Sequence, residues 1–355
     1  KKIFKASRII GKRFKLVHIF DRSELIEVAT FRSGETTDND SNLVKDESGK
    51  IIRDNIWGTL EQDTHRRDFT INALYYCPTS KKIEDNNNGL QHINKGLVVS
   101  IGDPQKRFAE DPVRCLRAIR FSNKLSFKID NQIKEAIYKK GHLLANISNA
   151  RLFDEFCKIF LYGYAEKNFN KLSIFGLNKY LLLTDINHNQ FSDKLIQESL
   201  KNTDKRYLNN QSVTPGFLIA ALLWPVVIES CKSNNQINLR KFFRGMDKIL
   251  RNQQNLTAVP RKFHSYIKDI WVLQLKLHSR IGKQPYKTLK HPRFRAAYDL
   301  LLIREKVSEK QMRLGKWWTD FQKNNDSLRK DLIEDLKNKK EKESFKTFGF
   351  SKELI

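Results

Sequence analysis

The sequence predicts an α+β protein, in which a small sheet-forming region is followed by a long, mostly helical remainder. Two observations support this prediction. Short runs with period-two alternation occur near the start of the chain, within residues 15–31. Apolar residues at helical spacing recur from Pro104 onward, interrupted by Pro260, Pro285 and Pro292. We therefore expect a mixed sheet first and helices afterwards.

The first strands are predicted to form a hairpin. Lys15–Phe20 and Leu25–Phe31 are apolar runs on either side of a turn at Asp21, Arg22 and Ser23. In the second run Glu27 lies in the middle of an otherwise apolar face. Two interpretations remain open. The carboxylate is either exposed on an edge strand, or it points into a cleft and contributes to chemistry.

The segment Arg66–Leu74 places two arginines beside an aspartate at the start of an apolar run. One interpretation is a salt-bridged helix end. The other is a binding site in which Arg66 and Arg67 contact phosphate or ribose, and Asp68 contacts a metal ion or a hydroxyl group. The preceding Thr59–Glu61 is predicted to begin a helix.

From Pro104 the pattern is helical, and one segment has an unusual charge spacing. Positions 111, 114, 117 and 120 are all charged, whereas the two residues between each pair are mostly apolar. Residues three apart are neighbours on a helix, so Arg114, Arg117 and Arg120 form a row with Asp111. The row is either a solvated basic stripe or a site for an anionic or planar hydrogen-bonding ligand, because guanidinium groups between apolar side chains need such a partner. Pro112 is expected in an early turn or at a kink.

Five further helices are predicted from the apolar periodicity, and the end of the chain combines basic and aromatic residues. The helices are Asp130–Leu144, Ala150–Tyr162, Phe217–Ser230, Leu239–Asn252 and Tyr266–Ser279. Arg293, Arg295 and Lys316 lie near aromatic residues, which suits single-stranded nucleic acid. For Trp317 and Trp318 two interpretations compete: stacking on bases, or one ring in the core and one at a helix contact.

Composition points to a polyanionic partner. The 355 residues include 66 Lys and Arg against 40 Asp and Glu, a formal charge of +26 that is spread along the chain. Nucleic acid is the usual partner of such a protein, and an anionic membrane surface or a ribosome-associated role are the alternatives. No apolar run is long enough to span a bilayer, so no membrane contact through a span is expected. Four widely separated cysteines and the absence of a signal peptide predict a reduced, cytoplasmic protein.

Two long motifs resemble a known family. Arg66–Leu74 and Glu110–Phe121 look like the class II nucleotidyltransferases, which comprise the bacterial poly(A) polymerases and the tRNA CCA-adding enzymes. Ile10–His18 and Ile26–Arg32 also fit this group. The poly(A) polymerase branch is favoured by four further segments, Arg53–Gly58, Asp269–Trp271, His291–Leu300 and Lys316–Trp318.

The resemblance implies a fold and a reaction. It implies part of a polymerase-β-like nucleotidyltransferase head over residues 1–95, a helical neck with the base template over 96–165, a helical RNA-binding body over 166–265 and a helical RNA-binding tail over 266–355. The implied activity is addition of AMP from ATP to RNA 3′ ends without a nucleic-acid template. Mg²⁺ (or Mn²⁺) is the implied cofactor, and proteins of RNA decay or RNA chaperones are the implied protein partners.

The resemblance also assigns roles to residues. Asp68 would be an active-site carboxylate, and Arg66 and Arg67 would bind the sugar and phosphates of the nucleotide. Asp111 and Arg114 would read the edge of the incoming base. The two remaining arginines of the row would support this pair or contact phosphates: Arg117 and Arg120.

One departure limits these expectations. The family begins with a Gly-Gly segment and an Asp-x-Asp strand that carries the main metal ligands, and both would lie before Lys1. We therefore expect this chain alone to have little polymerase activity. CCA addition to tRNA is one alternative function, and a catalytically inactive RNA-binding remnant is another. Whether Asp68 or Glu27 is the third carboxylate stays open.

Overall fold

A computed structural model describes residues 3–11, 16–33, 44–45, 51–53, 57–183, 190–233, 236–308 and 313–338. The chain divides into two compact units, Lys1–Lys140 and Gly141–Ile355. Parts of two motifs used above, residues 12–15 and 54–56, lie outside the described residues, as does the chain after residue 338.

The first unit combines small sheets with short helices. Its strands are β1 (Ser7–Ile10), β2 (Leu16–Asp21), β3 (Glu24–Val28), β4 (Val44–Lys45), β5 (Ile51–Arg53), β6 (Leu74–Cys77), β7 (Lys82–Asp85), β8 (Leu97–Val98) and β9 (Lys128–Ile129). Its helices are α1 (Leu60–His65), a 3₁₀ turn at Thr70–Asn72, α2 (Gly89–Asn94), α3 (Pro104–Glu110), α4 (Val113–Leu125) and α5 (Asn131–Lys140).

The sheets of this unit are mostly antiparallel. Strands β1, β2 and β3 form a three-stranded antiparallel sheet. Strand β4 pairs with β5 and β6 pairs with β7, both antiparallel, whereas β8 and β9 are parallel. The predicted hairpin is confirmed, since Asp21 pairs with Glu24 across a two-residue turn in which Arg22 has φ +52°. Helix α1 begins with a capping box, in which Thr59 accepts from the backbone of Gln62 and the Gln62 side chain accepts from Thr59.

The helical pattern predicted from Pro104 is interrupted at Asp111 and Pro112. Helix α3 begins at an Asp103 cap with Pro104 in its first position, where the missing N–H carries no penalty. Asp111 is extended, with φ −141° and ψ 92°, because a residue before proline avoids the helical region. Pro112 then caps α4. Pro112 therefore separates two helices.

The second unit is almost entirely helical. Its helices are a 3₁₀ turn at Gly141–Asn146, α6 (Asn149–Phe160), α7 (Ala165–Ile174), a 3₁₀ turn at Asn178–Tyr180, α8 (Gln190–Leu208), α9 (Pro215–Cys231), α10 (Leu239–Leu256), α11 (Lys262–Lys276), α12 (Gln284–Leu289), α13 (Phe294–Val307), α14 (Leu314–Lys323) and α15 (Asp326–Asn338). Two short strands pair before α10: β10 (Lys232–Ser233) and β11 (Gln236–Ile237).

Helix α9 is the centre of the second unit. It is apolar on all sides, as expected of a buried helix, and it packs against α8, α10 and α11. The indole of Trp271 on α11 donates a 2.8 Å hydrogen bond to the carbonyl of Ala220 on α9. Within the described part of the chain, no helix is both long and apolar enough to cross a membrane.

Candidate active site

The Arg-Arg-Asp segment connects α1 to the following 3₁₀ turn, and its aspartate is held by three donors. Asp68 is only 8% exposed. Its Oδ1 accepts from the backbone N–H of Phe69 (2.9 Å) and from Nδ2 of Asn72 (3.0 Å). Its Oδ2 accepts a 2.5 Å charge-assisted hydrogen bond from Nε of Arg117 on α4. The two motifs predicted from the sequence therefore meet at Asp68 and Arg117.

The two arginines before Asp68 are held by a buried carboxylate that sequence analysis did not select. Asp63 on α1 is 2% exposed. Its Oδ1 accepts from Nε of Arg66 (2.8 Å), and its Oδ2 accepts from Nε and Nη2 of Arg67 (3.2 and 3.0 Å). The hydroxyl of Tyr75 on β6 also donates to Oδ2. A sequence signal existed, because Asp63 is three and four residues before the two arginines on a helix end.

The hydrogen bonds around Asp63 determine which side chains are ionised. Burial by itself raises the pKa of Asp63, but the hydrogen bonds from Tyr75 and Arg66 outweigh it and lower the pKa to about 2. Burial and the bond to Asp63 raise the pKa of Tyr75 to about 12. Asp63 is therefore ionised and Tyr75 neutral at physiological pH. The side chains of Arg66 and Arg67 remain 30% and 41% exposed, so both cations can still meet a ligand.

Arg107 on α3 fixes the backbone of the same segment. Its Nη2 donates to the carbonyl oxygens of Arg66 and Arg67, both at 2.7 Å, and its Nη1 donates to Glu110 at 2.7 Å. Burial, together with the charge of Arg114, lowers the pKa of Arg107. Sequence analysis also missed Arg107. Its acceptors are backbone groups 40 and 41 residues away, which no local pattern reveals.

The predicted arginine row on α4 is present, and its apolar flanks are buried. Asp111, Arg114, Arg117 and Arg120 are each partly exposed, while every intervening residue is buried. The flanks are Pro112, Val113, Cys115, Leu116, Ala118 and Ile119. The row is therefore the one strip of this segment that faces outward from the core of the unit.

Each charged residue of the row makes specific contacts within the first unit. Arg114 is 13% exposed and donates through Nη1 to Glu110 (3.1 Å) and to the carbonyl of Arg107 (2.6 Å). The guanidinium groups of Arg120 and Arg117 lie 4.5 and 5.3 Å from the ring centre of Phe121. Asp111 Oδ1 accepts from the N–H of Val113 (3.2 Å), which begins α4.

The described residues do not form a metal centre by themselves. No three His, Cys, Asp or Glu side chains in the described ranges lie close enough together to hold a metal ion. Both carboxylate oxygens of Asp68 already accept hydrogen bonds from donors of the protein. Glu27, the alternative third carboxylate, lies on the edge strand β3, is 63% exposed and contacts Nε2 of His18 at 3.1 Å.

The predicted RNA-binding residues lie in the second unit, where the two adjacent tryptophans of the sequence motif are core residues. Trp317 and Trp318 are 8% and 0% exposed, so the interpretation as base-stacking rings is wrong. Trp318 Nε1 donates to the carbonyl of Leu277 (2.8 Å), which accounts for the buried polar group.

The three cations predicted to bind RNA differ in their contacts and exposure. Arg295 is 72% exposed and pairs with Asp299 at 3.0 Å. The guanidinium of Arg293 lies 4.9 Å from the ring centre of Tyr266, and Lys316 is exposed.

Three family models match the chain. Residues 1–99 match the poly A polymerase head domain, residues 126–184 match a model described as the probable RNA and SrmB-binding site of polymerase A, and residues 235–348 match the arginine-rich C-terminus of polymerase A. Poly(A) polymerase I of Escherichia coli O6:H1 is 37% identical over 350 residues, covering 95% of this chain and 75% of the relative.

The chain belongs to the poly(A) polymerase family. By family it is a polynucleotide adenylyltransferase, as the motif resemblance implied. A CCA-adding enzyme of Ligilactobacillus salivarius is 35% identical, but over only 45% of this chain and 38% of the relative. A solved tRNA nucleotidyltransferase, complexed with a primer tRNA and an ATP analogue, has a TM-score of 0.59 at 16% identity and covers 89% of this chain and 84% of its own. This likeness concerns the fold alone, and it agrees with the predicted α+β fold of a nucleotidyltransferase.

Proposed function

We propose that this poly(A) polymerase relative adds AMP from ATP to RNA 3′ ends, and that the row on α4 selects the base. The observation that supports this most strongly is the junction of the two motifs, where Arg117 on α4 binds Asp68 in the Arg-Arg-Asp segment. A base read by the row would thereby be linked to the residues that meet the sugar and phosphates.

The chemistry of the row suits an adenine edge. Adenine presents an amino donor beside a ring-nitrogen acceptor. A carboxylate and a guanidinium present the reverse, so Asp111 can accept from the amino group while Arg114 donates to the ring nitrogen. Guanine and uracil have the opposite arrangement and leave both protein groups mismatched. Cytosine shares the adenine arrangement, so its rejection depends on ring size.

Arg66 and Arg67 are proposed to bind the sugar and the phosphates. Their ion pairs with Asp63 hold both side chains in place while leaving part of each exposed. Arg117 and Arg120 extend the positive charge along α4. A fixed array of this kind stabilises the negative charge that develops on phosphate oxygens during transfer.

Asp68 is proposed as the active-site carboxylate. Its three donors fix its orientation, which a positioned acceptor near the attacking RNA 3′-hydroxyl requires. Mg²⁺ or Mn²⁺ is implied by the resemblance and would stabilise the transferring phosphate and the leaving pyrophosphate. The described residues do not assemble a metal site by themselves.

Charge reversal at Arg114 tests the base-selection proposal. In an RNA-primer extension assay with ATP or CTP, the protein carrying Arg114→Glu should lose its preference for ATP. The matched control is Lys124→Glu, an exposed residue at the end of the same helix. An unchanged ratio of ATP to CTP incorporation in Arg114→Glu would contradict the role of the row.

The CCA-adding relative supports a second candidate activity. A primer extended with ATP alone distinguishes the two: long A tails indicate polyadenylation, whereas addition of C and then A to tRNA, with both nucleotides present, indicates CCA addition. RNA binding without any nucleotide addition would instead support the inactive remnant. Protein partners in RNA decay, and a cytoplasmic location, stay predictions.

A further inference from the structure

Helix α10 in the second unit carries a strongly basic exposed face that the proposed active site does not use. Five exposed cations lie within three turns of this helix: Arg240, Lys241, Arg244, Lys248 and Arg251. We propose that this face, named here the α10 face, binds the phosphate backbone of single-stranded RNA. The proposal rests on RNA being the substrate, but its test measures RNA binding and not AMP transfer.

The spacing of the five cations places them together. At about 100° per residue they occupy about 100° of the helix circumference, and they extend about 16 Å along its axis. Arg240, Arg244 and Lys248 follow one another at i, i+4 and i+8, and Arg251 lies on the same line. Such a row presents cations at regular intervals, as a backbone of regularly spaced phosphates requires.

Among the residues that the structure describes, no carboxylate neutralises the charge of the α10 face. None of the five cations forms an ion pair with any described residue. The one acidic residue on the exposed side of the helix, Asp247, is already paired with Lys268 of α11. A solvated helix face more often mixes both signs, so an unbalanced row of five indicates an anionic partner.

An aromatic ring beside the row favours RNA over a generic anion. Phe243 is 49% exposed, and its ring stands edge-on to Phe242 with centres 5.7 Å apart. Arginines for phosphates next to an exposed ring for a base is the combination used for single-stranded nucleic acid. An acidic protein surface would need the cations but not the ring.

The α10 face is carried by a helix that is capped and buried on its opposite side. The opposite side of the helix is buried through Phe242, Met246, Ile249 and Leu250. Asn238 caps the helix by accepting from the N–H of Lys241 at 3.0 Å. Because the buried side fixes the rotation of the helix, substitutions of exposed cations should leave the fold unchanged.

The test is the salt dependence of RNA binding, measured by fluorescence anisotropy with a labelled oligo(A). The triple variant Arg240→Gln, Arg244→Gln, Lys248→Gln removes three phosphate contacts. We expect the slope of log K against log salt to fall in magnitude by about 2, and binding in about 0.1 M salt to weaken about 100-fold. Phe243→Ala should weaken binding by about fivefold or more without changing the slope.

Two control variants separate charge at this face from charge in general. Lys167→Gln, Lys179→Gln and Lys330→Gln together remove the same charge from other exposed positions of the second unit. This control should bind like the unmodified protein, and Arg240→Lys with Arg244→Lys should retain the slope.

The outcomes are distinct. An unchanged slope in the triple variant would overturn the proposal, and so would an equal loss in the lysine control. The proposal would also be overturned if the triple variant lost binding to an acidic protein but bound oligo(A) as the unmodified protein does. If the unmodified protein binds oligo(A) but adds no AMP, the proposed function fails while this proposal stands.

Discussion

Replacing Asp63 by Asn should destabilise the first unit in a pH-dependent way. Asp63 is buried and accepts from Tyr75 and two arginines, and its pKa is lowered from 3.8 to about 2. Each pKa unit corresponds to about 1.4 kcal/mol, so the ionised group contributes about 2 kcal/mol of stability. The Asn variant keeps the shape but loses the charge, and it leaves a hydroxyl and two guanidinium groups facing an amide. We expect a loss of about 2 kcal/mol in the free energy of unfolding at pH 7.

The sign of the pH effect follows from the direction of the shift. A carboxyl group with a lowered pKa in the folded state contributes fully above its unfolded pKa of about 4 and loses the contribution as pH falls through about 2. The difference in the free energy of unfolding between the unmodified protein and its Asp63→Asn variant should therefore be largest at pH 5–7 and shrink toward pH 2.

Urea unfolding of both proteins across this range is the measurement. Asp103→Asn serves as the control, since Asn also caps a helix well and Asp103 caps α3 through Gln105. Its effect should be within about 0.5 kcal/mol. A difference for Asp63→Asn that is equally large at pH 7 and pH 2.5 would show that charge is not the cause. Equal free energies of unfolding at pH 7 would show that the ionised Asp63 does not stabilise the first unit.

Three other predictions concern stability and are checked by urea or thermal unfolding. Trp318→Phe removes the indole donor to the carbonyl of Leu277 in a closed core and should cost about 2 kcal/mol, whereas an unchanged midpoint would contradict the importance of that bond. Gly58→Ala places a Cβ closer to the carbonyl carbon of Arg32 than van der Waals contact allows and should lower the free energy of unfolding by about 1–3 kcal/mol. An unchanged stability of the Ala variant would mean that the two segments can separate freely. Asp85→Ala removes the acceptor of two N–H groups at the start of α2, so it should lower stability by about 1 kcal/mol near neutral pH and less at acid pH, because these bonds lower the Asp85 pKa.

The arginine row could be predicted from sequence because its signal is local. A charged residue every third position, separated by apolar pairs, dictates a partly exposed strip between buried flanks, and α4 has this arrangement. Helix α9 was equally predictable, because an uninterrupted apolar run of that length must be buried. The hairpin of β2 and β3 followed from the turn residues.

Other features depend on partners that are distant in sequence or on polar groups that face inward. Arg107 acts on two backbone carbonyls, and Arg117 reaches Asp68 across 49 residues, so only the fold reveals either contact. Helix α8 was not predicted, because its buried side includes Ser199 and Thr203, whose hydroxyls donate to carbonyls four residues earlier. This satisfies the buried hydroxyls but obscures the apolar periodicity.

The ion pairs of the arginine row have a consequence for ligand exchange. Arg114 and Arg117 already hold carboxylates of the chain, Glu110 and Asp68. An incoming anion at this strip therefore replaces an internal counterion, and does not meet a bare cation. Replacing one counterion by another changes the net charge near the helix less than adding an anion would. This favours both binding and release of the incoming anion. Because Arg117 holds Asp68, an anion that approaches Arg117 would compete with that carboxylate for the same guanidinium group.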